Sequence, residues 1–186
     1  MDATDFVLSL IDAFNGHVEG RTLLQRRAYF VSVLAGVDSA VGFVTHYGGP
    51  YSPAVDNSLT RLKSMELLSQ SDIKSRVNSS GLEIKPYEYR LTNKGLKAAA
   101  AVKQRRRYGA VVSACHAVLK AGNPDQLILS IAAKAHFTLK KRGQEMLRRN
   151  IVHEAQKYNS TLKKTSLEAA VRFLVELKLD QRSNPD

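Results

Sequence analysis

A short segment, THYGGPYSP at residues 45–53, gathers residue types that carry chemistry in proteins. His46 beside tyrosines could take part in acid–base chemistry, but a histidine in such a turn more often closes the turn by hydrogen bonding. Ser52 can accept a hydrogen bond from the first turn of a helix, and Pro53 suits the first helical position. The segment is therefore interpreted first as the start of a helix and only second as a site.

Complete catalytic motifs are absent from the sequence. Residues 83–85 form a Glu-x-Lys triplet downstream of Asp72, as in metal-dependent nucleases, but so short a pattern arises easily by chance. His153 and Glu154 lack the second histidine of a zinc-binding helix. Neither a glycine-rich phosphate loop nor a Gly-x-Ser-x-Gly motif occurs. The sequence therefore predicts a protein that is not an enzyme and needs no metal or other cofactor.

The charge of the chain lies almost entirely in its second half. The 186 residues carry a net charge of +11. Residues 1–95 hold ten Lys plus Arg and ten Asp plus Glu, whereas residues 96–186 hold eighteen and seven, with a cluster KQRRRY at residues 103–108. Such an excess indicates a polyanionic partner, although helices with lysine and arginine on their solvated faces would also produce it.

The composition is that of a globular protein, with 44% hydrophobic residues. Asp2, Asp5 and Asp12 occupy the first segment, where a signal peptide would be basic and then apolar, and no apolar run is long enough to span a membrane. We therefore expect a cytoplasmic protein with no membrane contact. The single cysteine, Cys115, cannot form an internal disulfide and is expected to be a small buried apolar residue.

Hydrophobic periodicity in the first half predicts three helices, over residues 4–15, 21–36 and 53–68. On the second helix, Arg21, Gln25 and Arg26 are expected to face solvent. The segment VGFVTHY before the third helix could be a short strand or an irregular loop. Alternating residues then predict a β-hairpin, SDIKSRV and LEIKPYEYRLT joined by NSSG, followed by a helix capped by Thr92 or Asn93.

This order of three helices, a hairpin and a further helix predicts a winged helix-turn-helix. The second half is predicted to be helical, with a long helix over residues 96–121. Asn123 is the predicted cap of the next helix, and Thr165 and Glu168 are predicted to form a capping box for the last one. The predicted fold class is mainly α with a small β-hairpin (α+β). We expect a winged-helix-like domain at residues 1–100 and a basic helical domain or extension at residues 101–186.

Two motifs, GRTLLQRRAYF and GFVTHYGGPYSPAVDNSLTRLKSMELL, resemble an uncharacterised bacterial and archaeal group called YwgA-like, and more remotely the Panacea antitoxin domain. Gly48 stands where the group has its second tyrosine, and Arg26 where it has lysine. The resemblance implies a winged-helix fold, and for an antitoxin-like protein it implies a protein partner. It marks as the family-motif turn the residues His46, Tyr47, Pro50, Tyr51 and Ser52.

Binding of double-stranded DNA is the leading prediction, because a winged helix inserts its third helix into the major groove. The candidate base readers are Asn57, Thr60, Arg61 and Ser64. The candidate phosphate contacts are Lys63, Lys74, Arg76, Lys103, Arg105, Arg106 and Arg107. The alternative is an interaction module or antitoxin-like adaptor that binds an acidic protein, and a homodimer formed through residues 151–158 or the last helix is a third possibility.

Overall fold

The computed structural model describes residues 1–47, 49–72, 76–77, 83–84, 87–105, 107–122, 124–158 and 163–180. The chain forms two compact units, Met1–Phe43 with Ser52–His116, and Val44–Tyr51 with Ala117–Asp186. The first unit thus reaches beyond residue 100 and leaves out the Val44–Tyr51 segment. The described residues are mainly helical with a small antiparallel sheet, so the predicted α+β class is confirmed.

The first unit holds most of the described strands and helices. In chain order they are α1 (Ala3–Ala13), β1 (His17–Glu19), α2 (Gly20–Leu34), α3 (Asp38–Val41), α4 (Pro53–Ser64), β2 (Leu68–Asp72), β3 (Arg76–Val77), β4 (Glu83–Ile84), β5 (Tyr87–Leu91), α5 (Asn93–Val102) and the first part of α6 (Tyr108–Lys120). The long helix predicted over residues 96–121 is therefore two helices, because residues 103–107 interrupt it.

The sheet of the first unit is antiparallel and has the strand order β1-β5-β2. Tyr89 of the central strand β5 pairs with Val18 on one side and with Gln70 on the other. The strands β3 and β4 form a separate antiparallel pair. The predicted pairing of the two hairpin segments is thus confirmed, whereas the predicted NSSG turn lies outside the described residues. The sequence did not predict β1, which is only three residues long.

The core of the first unit forms where α1 packs against α4 and α5. Phe6, Leu10 and Ile11 of α1 are buried, as are Leu59 and Leu62 of α4. Burying a side chain of this size contributes roughly 1.5–3 kcal/mol. The apolar face of α4 therefore points into the unit, and its position is determined by the core.

The junction between the sheet and α5 depends on a threonine and a glycine. Thr92 caps α5, since its Oγ1 accepts a hydrogen bond from the N–H of Gly95 at 3.0 Å and donates one to the carbonyl of Glu66 at 2.7 Å. A Cβ at Gly95 would lie 2.1 Å from the carbonyl oxygen of Leu67. Only glycine fits this close approach, which joins the start of α5 to the start of the hairpin.

The second unit contains α7 (Gln126–Lys141), α8 (Arg148–Tyr158) and α9 (Lys164–Glu176), which pack against one another. Asp125 caps α7, so the prediction that the cap lies two residues earlier, at Asn123, is wrong; Asn123 itself lies outside the described residues. The predicted capping box of Thr165 and Glu168 is wrong, because α9 begins one residue before Thr165 and has no side-chain cap. Within the described residues, no helix combines the length and the apolar character needed to cross a membrane.

Candidate nucleic-acid interface

The start of α4 is held by the side chain of Ser52, which is fully buried. Its Oγ accepts a hydrogen bond from the N–H of Val55 at 3.1 Å and donates one to the carbonyl of Val41 at 2.6 Å. Pro53 occupies the beginning of the helix. The prediction that Ser52 and Pro53 start this helix is therefore confirmed, and the hydroxyl also ties α4 to the end of α3.

A second contact at the same position comes from Gln25 of α2. Its Nε2 donates to the carbonyl of Ser52 at 3.0 Å, and its Oε1 accepts from the N–H of Ser52 at 2.9 Å. Gln25 and Arg26 are each only 4% exposed, so the prediction that both face solvent is wrong. The backbone groups of Ser52 need a partner once they are buried, and Gln25 supplies it. Only Arg21 of the three residues is exposed as predicted.

The face of α4 that points away from the core carries all four predicted base readers. Asn57, Thr60, Arg61 and Ser64 are exposed. Thr60 Oγ1 donates to the carbonyl of Asp56 at 3.2 Å, and Ser64 Oγ donates to the carbonyl of Arg61 at 2.9 Å. Within the described part of the chain, the side chains of Asn57 and Arg61 make no hydrogen bond. Their donors and acceptors are therefore available to a ligand.

The side of α4 toward the sheet is engaged in contacts within the unit. Arg21 Nη1 donates to Asp56 Oδ1 at 2.7 Å, and Arg21 Nε donates to the hydroxyl of Tyr89 at 3.4 Å. The hydrogen bond to Tyr89 and the neighbouring carboxylate of Asp56 raise the pKa of Arg21 further. Lys63, predicted to contact phosphate, donates to Gln70 Oε1, and its Nζ lies 5.9 Å from the ring centre of Tyr89. This ammonium therefore helps to join α4 to β2 and β5.

The two phosphate contacts predicted on the hairpin are described only in part. Lys74 lies outside the described residues. Arg76 is in β3, where its backbone pairs with Ile84 of β4. The placement of Arg76 on a paired strand after α4 agrees with the predicted hairpin.

The basic connector, residues 103–107 between α5 and α6, lies against α1. Lys103 Nζ is 3.4 Å from Asp12 Oδ2, and Arg105 Nε is 3.6 Å from Asp5 Oδ2. Arg107 Nη1 donates to the carbonyl of Gly36 at 3.0 Å, and Arg106 lies outside the described residues. The side chains of Lys103 and Arg105 remain 49% and 65% exposed. Each of these two side chains is therefore accessible to solvent, and its positive charge is partly neutralised by an aspartate of α1.

The boundaries of the first unit change the charge that can be assigned to it. Residues 1–43 and 52–116 together carry fifteen Lys plus Arg and ten Asp plus Glu, a net charge of +5. The first 95 residues alone carry no net charge. Apart from Val44–Tyr51, the first 95 residues, which include the predicted hairpin, are therefore part of a cationic unit, because α5, the connector and the start of α6 belong to the same unit.

The family-motif turn forms a short hairpin around residues 45–50. Val44 and Tyr51 exchange two backbone hydrogen bonds, of 2.8 and 3.0 Å, and the N–H of Gly49 donates to the carbonyl of His46 at 3.0 Å. The rings of His46 and Tyr51 lie 5.1 Å apart, while Pro50 is buried. Tyr47 is 98% exposed. In this turn the rings of His46 and Tyr51 therefore lie against each other, and the ring of Tyr47 is fully exposed.

In the second unit, a cavity of about 550 Å³ lies along α8. The described residues that line it are Leu147, Arg148, Arg149, Val152, His153 and Gln156. On the opposite side of α8, Glu154 is buried and accepts hydrogen bonds from Arg142 at 3.1 Å and from Lys157 at 3.2 Å. The buried carboxylate is thus paired, and the open face presents arginine and histidine beside apolar side chains.

The apolar stripes of α8 and α9, which could have served a dimer interface, are buried within the unit. Ile151 and Ala155 of α8 and Leu167, Phe173 and Leu174 of α9 belong to its core. Homodimer formation stays a prediction.

The described residues also bear on metal and thiol chemistry. Among them, no three His, Cys, Asp or Glu side chains come together as a metal site would require. Cys115 is fully buried as predicted, and burial raises the pKa of its thiol to about 12 although Arg27 acts in the opposite direction. At neutral pH this thiol is therefore protonated and inaccessible.

Comparison with protein-family models and with curated proteins finds no match to this chain.

Proposed function

We propose that the first unit is a winged helix-turn-helix domain that binds double-stranded DNA without catalysis, as a transcriptional or toxin-system regulator. The exposed line of polar side chains on α4 is the observation that carries this proposal. Asn57 and Arg61 are four residues apart, so they lie on one side of the helix. Asparagine and arginine are the side chains that make bidentate hydrogen bonds with adenine and guanine in the major groove.

The order of the elements supports the same proposal. In a winged helix, the recognition helix precedes a two-stranded wing, and a short strand after the first helix pairs with the wing. Here α4 directly precedes β2, and the sheet has the order β1-β5-β2. Residues 35–52 connect α2 to α4, which is longer than the turn of about 3–4 residues in a simple helix-turn-helix. In place of a tight turn, the hydrogen bonds of Gln25 and Ser52 orient α4.

The charge of the first unit supports binding to a polyanion. Phosphate neutralisation supplies most non-specific attraction to DNA, and the net charge of +5 provides it. Surface ion pairs such as Lys103 with Asp12 and Arg105 with Asp5 contribute about 0–1 kcal/mol, so a phosphate group can compete for these cations.

The experiment is a selection of duplexes from a random library, followed by affinity measurements across a range of salt concentrations. The double variant N57A/R61A should bind the selected duplex about tenfold more weakly or worse, because each bidentate contact contributes about 1–3 kcal/mol. The triple variant K103A/R105A/R107A should weaken binding to every sequence and flatten the salt dependence. R172A on the exposed side of α9 removes one charge from the second unit and serves as the control. Weak binding that is independent of salt in all four proteins would eliminate the proposal.

A second candidate function has its own support, the cavity along α8. Arg148, Arg149 and His153 line it together with the apolar Leu147 and Val152. This combination complements a protein segment that alternates acidic and apolar residues, since charge complementarity selects the partner and apolar contact stabilises the complex. The second unit would then act as an adaptor for an acidic protein, as the antitoxin resemblance implies.

Peptide display with the whole chain as bait tests this candidate. The selected peptides should be acidic and amphipathic, and the double variant R148E/R149E should lose them. K163E/K164E, at the exposed start of α9, makes the same change of charge away from the cavity and should retain them. Peptides without net negative charge, or equal binding by both variants, would rule the candidate out.

A further inference from the structure

The tip of the family-motif turn presents an aromatic ring that its own unit leaves uncovered. Tyr47 is 98% exposed, so both faces of the ring are open. The residues around it are held by the paired backbones of Val44 and Tyr51 and by the hydrogen bond from Gly49 to His46. The backbone of the turn is thus held in place, and a tyrosine has only two side-chain torsion angles to fix when its ring stacks on a ligand.

The same turn contacts the cationic end of α7 within the second unit. Lys141 Nζ donates a hydrogen bond to Thr45 Oγ1 at 3.0 Å. An ammonium has three donors, so two of them are left for a ligand. Lys140, Lys141 and Arg142 are consecutive and exposed, and residues 44–51 contain no acidic side chain. The Thr45–Lys141 contact therefore places an ammonium beside the turn that carries the open ring.

We propose that this turn and the end of α7 form a binding site for single-stranded nucleic acid. An unpaired base stacks on the ring of Tyr47, and a backbone phosphate beside that base contacts Lys141. Proteins that bind single strands combine these two features, an aromatic platform and a positively charged track, and they tolerate many sequences because every base has a flat face. The site belongs to the second unit, whereas the α4 face proposed for duplex DNA belongs to the first.

The charge beside Tyr47 favours a nucleic acid over a protein partner. An aromatic anchor of a protein interface is enclosed in the complex by contacts that exclude water. The neighbouring Thr45 and Lys141 are polar and cationic, which suits a phosphate backbone better than such an enclosure. Stacking on a base requires only an open ring face.

The test uses the whole chain and a single-stranded oligonucleotide that contains one fluorescent base, 2-aminopurine, whose emission is quenched when it stacks. The wild type should bind the strand and quench the base. Y47A should bind about tenfold more weakly and lose the quenching, whereas Y47F keeps the ring and should retain both. K141A should weaken binding and lower its salt dependence. Y87A removes a partly exposed tyrosine of the first unit and is the matched control.

The outcomes distinguish this site from the α4 face. Weaker single-strand binding in Y47A, with duplex binding unchanged, supports the inference even if the duplex proposal fails. Quenching and affinity that are the same in Y47A and the wild type would overturn it. Unchanged strand binding together with loss of a displayed peptide in Y47A would assign the turn to a protein partner instead, and would equally overturn it.

Discussion

The side-chain amide of Gln25 forms two hydrogen bonds with the backbone of Ser52, 27 residues away in the chain. Ser52 in turn caps α4 and bonds the carbonyl of Val41. Two buried polar side chains thus connect α2, α3 and the start of α4. The direction of the proposed recognition helix is determined by these contacts together with its apolar face.

Replacing Gln25 by methionine keeps the volume but removes both hydrogen bonds. The buried N–H and carbonyl of Ser52 would lose their partner, and each such group costs about 1–3 kcal/mol. The free energy of unfolding, measured by urea titration, should fall by about 2–4 kcal/mol. R21M on the same helix breaks a half-exposed ion pair and should cost about 1 kcal/mol or less. A Q25M variant as stable as R21M would contradict the role assigned to Gln25.

Two glycines should respond to alanine in opposite directions. In G95A the new Cβ meets the carbonyl oxygen of Leu67 at 2.1 Å, so the junction must shift and stability should fall by about 3 kcal/mol or more. In G109A the Cβ meets nothing within 4 Å, and Gly109 lies in α6. Alanine there should raise the thermal midpoint, with a gain of up to about 1 kcal/mol. Thermal unfolding of the two variants tests both signs, and equal midpoints would contradict the close approach at Gly95.

Neutralising the acids that face the connector should strengthen DNA binding. The double variant D5N/D12N releases Lys103 and Arg105 from their ion pairs. Duplex affinity at low salt should rise and depend more steeply on salt, because more cations are available to phosphates. Stability should change by only about 1 kcal/mol per pair.

The matched control for that change is E168Q/E176Q, which removes two exposed negative charges from α9. It alters the net charge of the chain equally but leaves the connector unchanged. If both double variants increase affinity to the same extent, net charge and not the connector is responsible.

The stability of the chain should fall at alkaline pH through Cys115. Burial raises the pKa of its thiol from the ordinary 9.0 to about 12. A raised pKa in the folded state means that the contribution to stability is fully present below the pKa of the unfolded state and is lost as the pH rises through the folded value. The free energy of unfolding should therefore drop more between pH 9.0 and about pH 12 in the wild type than in C115A. Parallel pH dependence of the two proteins would show that the thiol makes no such contribution.

Several elements were predictable from neighbouring residues. Ser52 and Pro53 start α4, and Thr92 starts α5, because a capping side chain bonds an N–H only three residues ahead. Once the start of α4 is known, helical spacing identifies which of its side chains face away from the core. Asn57, Thr60, Arg61 and Ser64 were found in this way.

Other contacts gave no local signal. Val18 of β1 is buried in a strand of only three residues, which is too short to show an alternating pattern. The capping box predicted at Thr165 and Glu168 matched a local motif, yet α9 begins at Lys164 without a side-chain cap and packs against α7 and α8.

The sequence by itself determined the helical class, the paired hairpin segments, the start of α4 and the positive charge, since these depend on composition or on residues a few positions apart. The tertiary structure alone decided that Gln25 is buried, that Asp56 pairs with Arg21, and that the connector lies against α1. Gln25 and its partner Ser52 are 27 positions apart, and Arg21 and Asp56 are 35 positions apart. A side chain that hydrogen-bonds across such a separation looks the same in the sequence as one that faces water, because only the packing of the core brings its partner within reach.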